Sequence, residues 1–196
     1  MRGFLDMIDY DDIDKGIVVT AILAVLMAVM MPIVIVLLFQ EIFFYNQDQW
    51  LLSRPALSYI IVIGSFLVIP VAAIIYFSTK KIWKRMHPIV GGAAFLLIAL
   101  MALPIAFSGM MHYYYFDDEG FSVNPLFSFE ENHYAWEEID QIALHINEEG
   151  DRASYESIEL FFSVGQRYEL SMNSELVTYR QRIFRSVEEH GGEILR

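Results

Sequence analysis

The chain has 196 residues, of which 56% are apolar, yet Asp and Glu outnumber Lys and Arg by 25 to 13 for a formal charge of −12. That balance excludes a nucleic-acid binder, which must neutralise phosphates. The absence of cysteine excludes disulfides, thiolate metal sites and cysteine nucleophiles. The charge is unevenly spread: residues 1–108 hold seven acids and seven bases, whereas residues 109–196 hold eighteen acids and six bases. A membrane portion followed by an acidic domain reconciles the apolar content with the charge.

Residues 1–16 read as an acidic, solvated tail. Its Asp9, Asp11, Asp12 and Asp14 mimic part of a calcium loop but lack the glycine turn and the closing Glu. Formal charge is then missing from 16–40, 55–79 and 86–116, and within these stretches 17–39, 57–77 and 88–107 are apolar runs of 23, 21 and 20 residues. At ~1.5 Å rise per residue, each run crosses a hydrocarbon layer of about 30 Å. The first is too long for a signal-peptide core and has no small-residue cleavage site, so it reads as an anchor.

Pro32, Pro70 and Pro104 interrupt the runs, which a bilayer tolerates where neighbouring helices satisfy the freed carbonyls. Small residues recur at helical spacing in each run: Ala21, Ala24 and Ala28; Ser65 and Ala72; Gly92, Ala99, Ala102 and Ala106. They predict a three-helix transmembrane bundle over 17–108 and leave homo-oligomerisation through the spans open. No Asp, Glu, Lys, Arg or His lies inside a run, which argues against an ion or proton pathway.

Orientation follows from the bases. Lys80, Lys81, Lys84 and Arg85 lie between the second and third runs, with Arg2 and Lys15 before the first. Only Arg54 lies between the first and second. This predicts a multi-pass cell-membrane protein with its N-terminus and 2–3 loop cytoplasmic and its C-terminal domain outside. Phe43, Phe44, Tyr45 and Trp50, with the aromatics at 113–116, read as interfacial.

From Gly109 the pattern becomes alternating. Ile142, Leu144 and Ile146 share one strand face; Ile158, Leu160, Phe162 and Val164 share another, with Ser157, Glu159 and Ser163 opposite; Tyr168, Leu170 and Met172 share a third. Gly165-Gln166 fits a two-residue hairpin loop, and Asp117-Asp118-Glu119-Gly120 and Glu148-Glu149-Gly150-Asp151 mark further turns. Asn173 or Ser174 can cap a closing helix whose apolar stripe is Leu176, Tyr179, Ile183 and Val187 and which Gly191 ends.

The segment Phe116-Asp117-Asp118-Glu119-Gly120-Phe121, followed by Tyr134-Ala135-Trp136-Glu137-Glu138-Ile139-Asp140-Gln141-Ile142, resembles bacterial membrane proteins with a C-terminal pleckstrin-homology-like (PH-like) domain. The resemblance covers roughly residues 112–191. It implies an antiparallel α+β domain in which Trp136 and Ile139 fill the core and Gly120 serves a turn. The expected fold class is therefore a multi-pass α-helical membrane protein of three spans followed by a small PH-like domain over 109–196. Lipid-binding PH domains carry bases between their first two strands, whereas here the loop reads Asp117-Asp118-Glu119, so no phosphoinositide head-group binding is expected. PH-like modules of this kind are expected in the cytosol, against the orientation that the basic loop predicts.

No catalytic, cofactor-binding or metal residue is assigned. His112, His133 and His145 near Glu130, Glu131 and Glu137 lack metal-ligand spacing. Glu137, Glu138 and Asp140 could be paired carboxylates for hydrolysis, but they fall in the fold motif. No nucleophile elbow, P-loop or dinucleotide fingerprint occurs. The reading is a non-enzymatic membrane protein whose PH-like domain meets a protein partner. The alternative is an auxiliary subunit of a membrane transport or signalling complex.

Overall fold

The computed structural model describes residues 9–83, 85, 88–147 and 154–195. The turn Glu148-Glu149-Gly150-Asp151, the tail up to residue 8 with Arg2, and Lys84 and Met86 lie outside the described residues. The chain divides into two compact units: residues up to Glu41 with Ala56–Met111, and Ile42–Pro55 with His112–Arg196.

The apolar part comprises α1 (Tyr10–Phe44), α2 (Ala56–Ser78), a single turn α3 (Lys80–Trp83), α4 (Pro88–Leu100) and α5 (Ala102–Met111). Tyr10–Phe44, Ala56–Ser78 and Ile89–Met111 are each long and apolar enough to cross a membrane. Their outward side chains support a membrane location: Val29 and Met30 are each 74% exposed and Leu97 68%. Surfaces of that kind suit lipid rather than water.

Ala24, Ala28, Ser65 and Ala72, from the predicted small-residue faces, are buried. Gly109 joins them, because a Cβ there would lie 2.9 Å from the Ser58 carbonyl oxygen and from Val62 Cγ2. Small side chains let the backbones approach, and dispersion contacts then hold the helices together.

Two expectations for this unit change. The tail is not simply solvated, since α1 begins at Tyr10. Asp14 forms an ion pair with Lys80 and accepts the Tyr76 hydroxyl at 3.0 Å, and the Tyr10 hydroxyl donates to the Trp83 carbonyl at 2.7 Å. Asp11 and Asp12 occupy the first turn, where the helix dipole favours acids. The third run continues to Met111 instead of ending at 107, and it is broken at Met101. Pro104 has no N–H for the Leu100 carbonyl and its ring crowds that turn, so the Met101 N–H bonds the Ile98 carbonyl, three residues back, at 3.1 Å. Pro32 and Pro70 lie within unbroken helices.

The second unit has two four-stranded sheets. The first runs in the order β1 (Leu51–Ser53), β2 (Tyr113–Phe116), β3 (Gly120–Asn124), β4 (Asn132–Ala135), all antiparallel. The second contains β5 (Ile139–Asn147), β6 (Ser154–Phe162), β7 (Arg167–Ser171) and β8 (Glu193–Leu195), in the order β7-β6-β5-β8, with β8 parallel to β5. Helix α6 (Ser174–Glu189) completes the unit. Phe116, Phe121, Ile142, Ile158, Leu160, Leu176 and Ile183, drawn from both sheets and α6, share one core. Trp136, Ile139 and Ile142 are 2%, 1% and 0% exposed, so the W-x-x-I-x-x-I segment is a core motif.

Several details differ from the alternation pattern. The segment between the first two spans is not a plain loop: Leu51 pairs with Phe116 and Ser53 with Tyr114, so the acidic unit does not begin at 109 but draws on two separate stretches of chain. Trp50, Tyr114 and Phe116, expected at an interface, pack in the core instead. The β6–β7 hairpin is a three-residue loop, closed by Phe162 N–H to the Gln166 carbonyl at 3.0 Å, with Gly165 at φ +79°. A left-handed third loop residue is the glycine position of that turn class. Val164 therefore sits in the loop, 62% exposed, and not in the strand stripe. Ser157, assigned to an open strand face, is 2% exposed and donates to Glu169 Oε1 at 2.7 Å.

The Asp117 carboxylate accepts the N–H groups of Glu119 and Gly120, both at 2.9 Å, which leaves Asp118-Glu119 as the β2–β3 loop. Gly120 is required for close approach, because a Cβ there would fall 2.0 Å from the Tyr134 carbonyl oxygen. Asn173 caps α6, accepting the Leu176 N–H at 2.7 Å. Leu176, Ile183 and Val187 are buried with Tyr179 packed beside them. Gly191, at φ +94°, ends the helix and turns the chain into β8, which the sequence pattern did not anticipate.

Candidate functional site

Three of the six bases in residues 109–196, Arg180, Arg182 and Arg185, lie on α6. The helix is amphipathic, so its buried stripe against the sheets forces the intervening polar positions outward. There they border an open cavity of about 650 Å³ lined by Asp118, Trp136, Gln181, Arg182, Arg185 and His190 among others.

Trp136 is the aromatic residue of that lining, and it belongs to a cluster of rings. Trp50 and Trp136 stack at 6.2 Å with 6° between planes, and Phe116 stacks on both. The Arg182 guanidinium lies 4.4 Å from the centroid of the Trp50 ring and donates to Asp118 Oδ1 at 2.7 Å. A cation over an indole face is attracted by the ring quadrupole, and the carboxylate fixes its direction. His190 closes one end, with Nδ1 donating to the Ser186 carbonyl at 2.7 Å and Nε2 3.7 Å from Glu137 Oε1. Arg185 is exposed and forms no ion pair among the described residues. Glu189 also lines the cavity and Arg182 already donates to Asp118, so Arg185 is the guanidinium there with no ion pair among the described residues to compete with an outside carboxylate.

The residues weighed from sequence do not converge. His112 donates through Nδ1 to the Asn124 carbonyl at 2.9 Å, and its burial lowers its pKa. His133 Nδ1 and Ser122 Oγ share a hydrogen bond of 2.8 Å across neighbouring strands. Ser122 is fully buried, so that pair ties β3 to β4 and presents no accessible nucleophile. His145 Nε2 meets Glu159 Oε2 at 3.1 Å on the second sheet. Glu131 accepts the hydroxyls of Tyr113 and Tyr115 at 2.7 and 2.8 Å. Glu138 accepts the Ala135 N–H at 2.9 Å at the start of a 3₁₀ turn, while Glu137 faces His190 and Asp140 is exposed. Among the described residues, no three His, Asp or Glu side chains gather as a metal site.

Arg182 and Trp50 were not singled out as site residues from sequence. Trp50 is far from α6 in sequence, and no local spacing signals their stacking.

The tyrosines of β2 predict an alkaline limit. Burial pushes Tyr114 up to about 12, and burial followed by the Glu131 carboxylate pushes Tyr115 up to about 12, from an ordinary value of 10.0. The folded unit therefore favours the neutral phenols. Their contribution is complete below about pH 10 and is lost as pH rises through about 12. In an alkaline titration, the part of the tyrosinate absorbance that Tyr114→Phe/Tyr115→Phe removes should appear together with loss of the folded circular dichroism signal in that window. If that part had its midpoint near 10, before any unfolding, the burial of β2 would be contradicted.

Compared with protein-family models, curated proteins and solved structures, the chain matches none.

Proposed function

We propose that the chain is a non-enzymatic integral membrane protein whose C-terminal, PH-like unit holds a protein partner through the α6 groove. The observation that carries this reading is the Arg182 guanidinium mounted on Trp50 and aimed by Asp118, beside the exposed Arg185, in a unit that is otherwise acidic. Two sheets with a closing amphipathic helix, and a buried Trp136-x-x-Ile139-x-x-Ile142 segment, support the PH-like reading. The β2–β3 loop carries carboxylates, so a phosphoinositide head group is not the ligand.

The test is recovery of partners from native membranes with the full chain and with Arg182→Glu/Arg185→Glu. Reversing both charges should remove a groove-bound partner while the membrane level of the chain is unchanged. The alternative, an auxiliary subunit that contacts its complex through the spans, is favoured by the open apolar cavity of about 550 Å³ bordered by Val18, Ile22, Leu26, Ile74 and Phe77. Recovery unaffected by charge reversal, and retained by a chain ending at Met111, would support that alternative. An activity abolished by Glu137→Gln or Asp140→Asn in a folded protein would overturn the non-enzymatic reading.

For topology we propose N-terminus and 2–3 loop inside, C-terminal unit outside. Three spans put the chain ends on opposite sides, and juxtamembrane bases resist translocation. The lack of native cysteine makes thiol labelling clean. Ser157 is buried and unsuitable, whereas Ser163 is exposed at the β6–β7 turn. Ser163→Cys should react in intact cells with a membrane-impermeant maleimide, and Ser78→Cys only after the membrane is opened. The reverse pattern would make the acidic unit cytosolic and bring it into line with its PH-like resemblance.

A further inference from the structure

The chain passes between its two units after Glu41, after Pro55 and after Met111. Within the second unit, the residues beside those passages gather at one end of the first sheet. The Phe44 ring stacks on Tyr113 at 4.2 Å, Ser53 is in register with Tyr114, and Tyr113 is the second residue beyond Met111. Asn124 is the register partner of Tyr113, so the connection from β3 to β4 leaves from that same end. The Asp118-Glu119 loop is at the other end, beyond the four residues of β2, about 13 Å of strand. The β3–β4 connection therefore starts at the sheet end where the chain enters β2, two residues in sequence beyond the third span. The 23 residues of that span, roughly 34 Å long, are enough to reach across a hydrocarbon layer of about 30 Å.

That connection carries Phe127 and Phe129, 68% and 77% exposed. It is a built turn. The Ser128 N–H donates to the Pro125 carbonyl at 3.0 Å. The buried Asn124 amide nitrogen, turned to satisfy its neighbours, donates to the carbonyls of Ser128 and Pro125 at 3.1 and 3.2 Å. Glu131, at the far side of the turn, is fastened by the Tyr113 and Tyr115 hydroxyls. Phe127 has φ +62°, a left-handed conformation that a bulky side chain rarely adopts. Backbone strain of that kind clusters at functional positions.

We propose that this turn seats Phe127 and Phe129 in the interfacial layer of the bilayer that the spans cross. Aromatic rings partition to that layer. The charge of −12 repels anionic head groups, so an apolar anchor is the means by which this end of the unit can hold to lipid. The proposal is independent of the α6 groove and of which side of the membrane the unit occupies.

The experiment uses the full chain in phosphatidylcholine vesicles, with Phe129→Cys, Phe127→Cys or, as the distal control, Glu119→Cys, each labelled with an environment-sensitive fluorophore. Shallow nitroxide-labelled lipid should remove most of the emission from the labels at 127 and 129 and little from that at 119. Aqueous iodide should do the reverse. Either loop variant alone suffices if the other fails to fold. Iodide quenching of the loop labels equal to that of the control, without lipid quenching, would overturn the proposal. So would iodide protection that depends on protein concentration and brings no lipid quenching, because a second copy would then cover the loop.

Discussion

Trp136→Ala should destabilise the acidic unit by roughly 3–5 kcal/mol, the usual cost of deleting a large buried aromatic. The ring is 2% exposed and packs with Trp50 and Phe116 in a triangle of rings whose centroids are 5.6–6.2 Å apart. Removal leaves a cavity where two sheets, α6 and the segment before β1 converge, and none of these can collapse into it without moving a strand. Whole-domain stability is typically about 5–15 kcal/mol, so the loss is a large share of the total. The measurement is chemical denaturation of the full chain in detergent, followed by near-ultraviolet circular dichroism from the stacked indoles. A variant with an unchanged midpoint would show that Trp136 is not core. Trp136→Phe, which keeps an aromatic plane for Phe116, should lose less than half as much.

The second large effect concerns what counts as the domain. Residues 112–196 expressed alone should be poorly folded, because they lack β1 and Trp50. Leu51 is 3% exposed and its side chain alone is worth ~2–5 kcal/mol. Its strand also covers an edge of β2, which would otherwise present unpaired N–H and C=O groups. Ser53 further receives the Asn173 side-chain amide at 2.8 Å, linking β1 to the cap of α6. Because Ser53 is in antiparallel register with Tyr114, residue 55 can be joined to residue 112 by a short glycine-rich hairpin loop in place of the two intervening spans. The chain 42–55, loop, 112–196 should be a soluble, β-rich monomer with a cooperative transition. Equal stability of the two fragments would remove β1 from the core. Failure of both would mean that the unit folds only with its spans.

The extent to which each feature was legible in sequence follows from the range of the interaction behind it. Membrane spans are set by the length and continuity of apolar residues, so three long helices could be read directly, including the buried small residues Ala24, Ala28 and Ala72. Alternation identified β5, β6 and β7, and capping chemistry identified Asn173 and Gly191. Short strands carried no such signal. Leu51–Ser53 and Glu193–Leu195 are three residues each, too few to establish a period, and are strands only because a partner edge is present. Ser157 followed the alternating pattern yet is buried, since Glu169 on β7 closes over it.

Composition and local pattern by themselves determined that this is a chain of three apolar spans with an acidic α+β portion, because partitioning between lipid and water acts residue by residue. Tertiary structure alone decided that the acidic unit is assembled from both sides of two spans. It also mounted Arg182 on Trp50, and it put Phe127 and Phe129 at the end of the sheet nearest the chain crossings. Each of these depends on residues far apart in sequence meeting at a few ångströms, and such contacts leave no periodic trace in the stretches that make them.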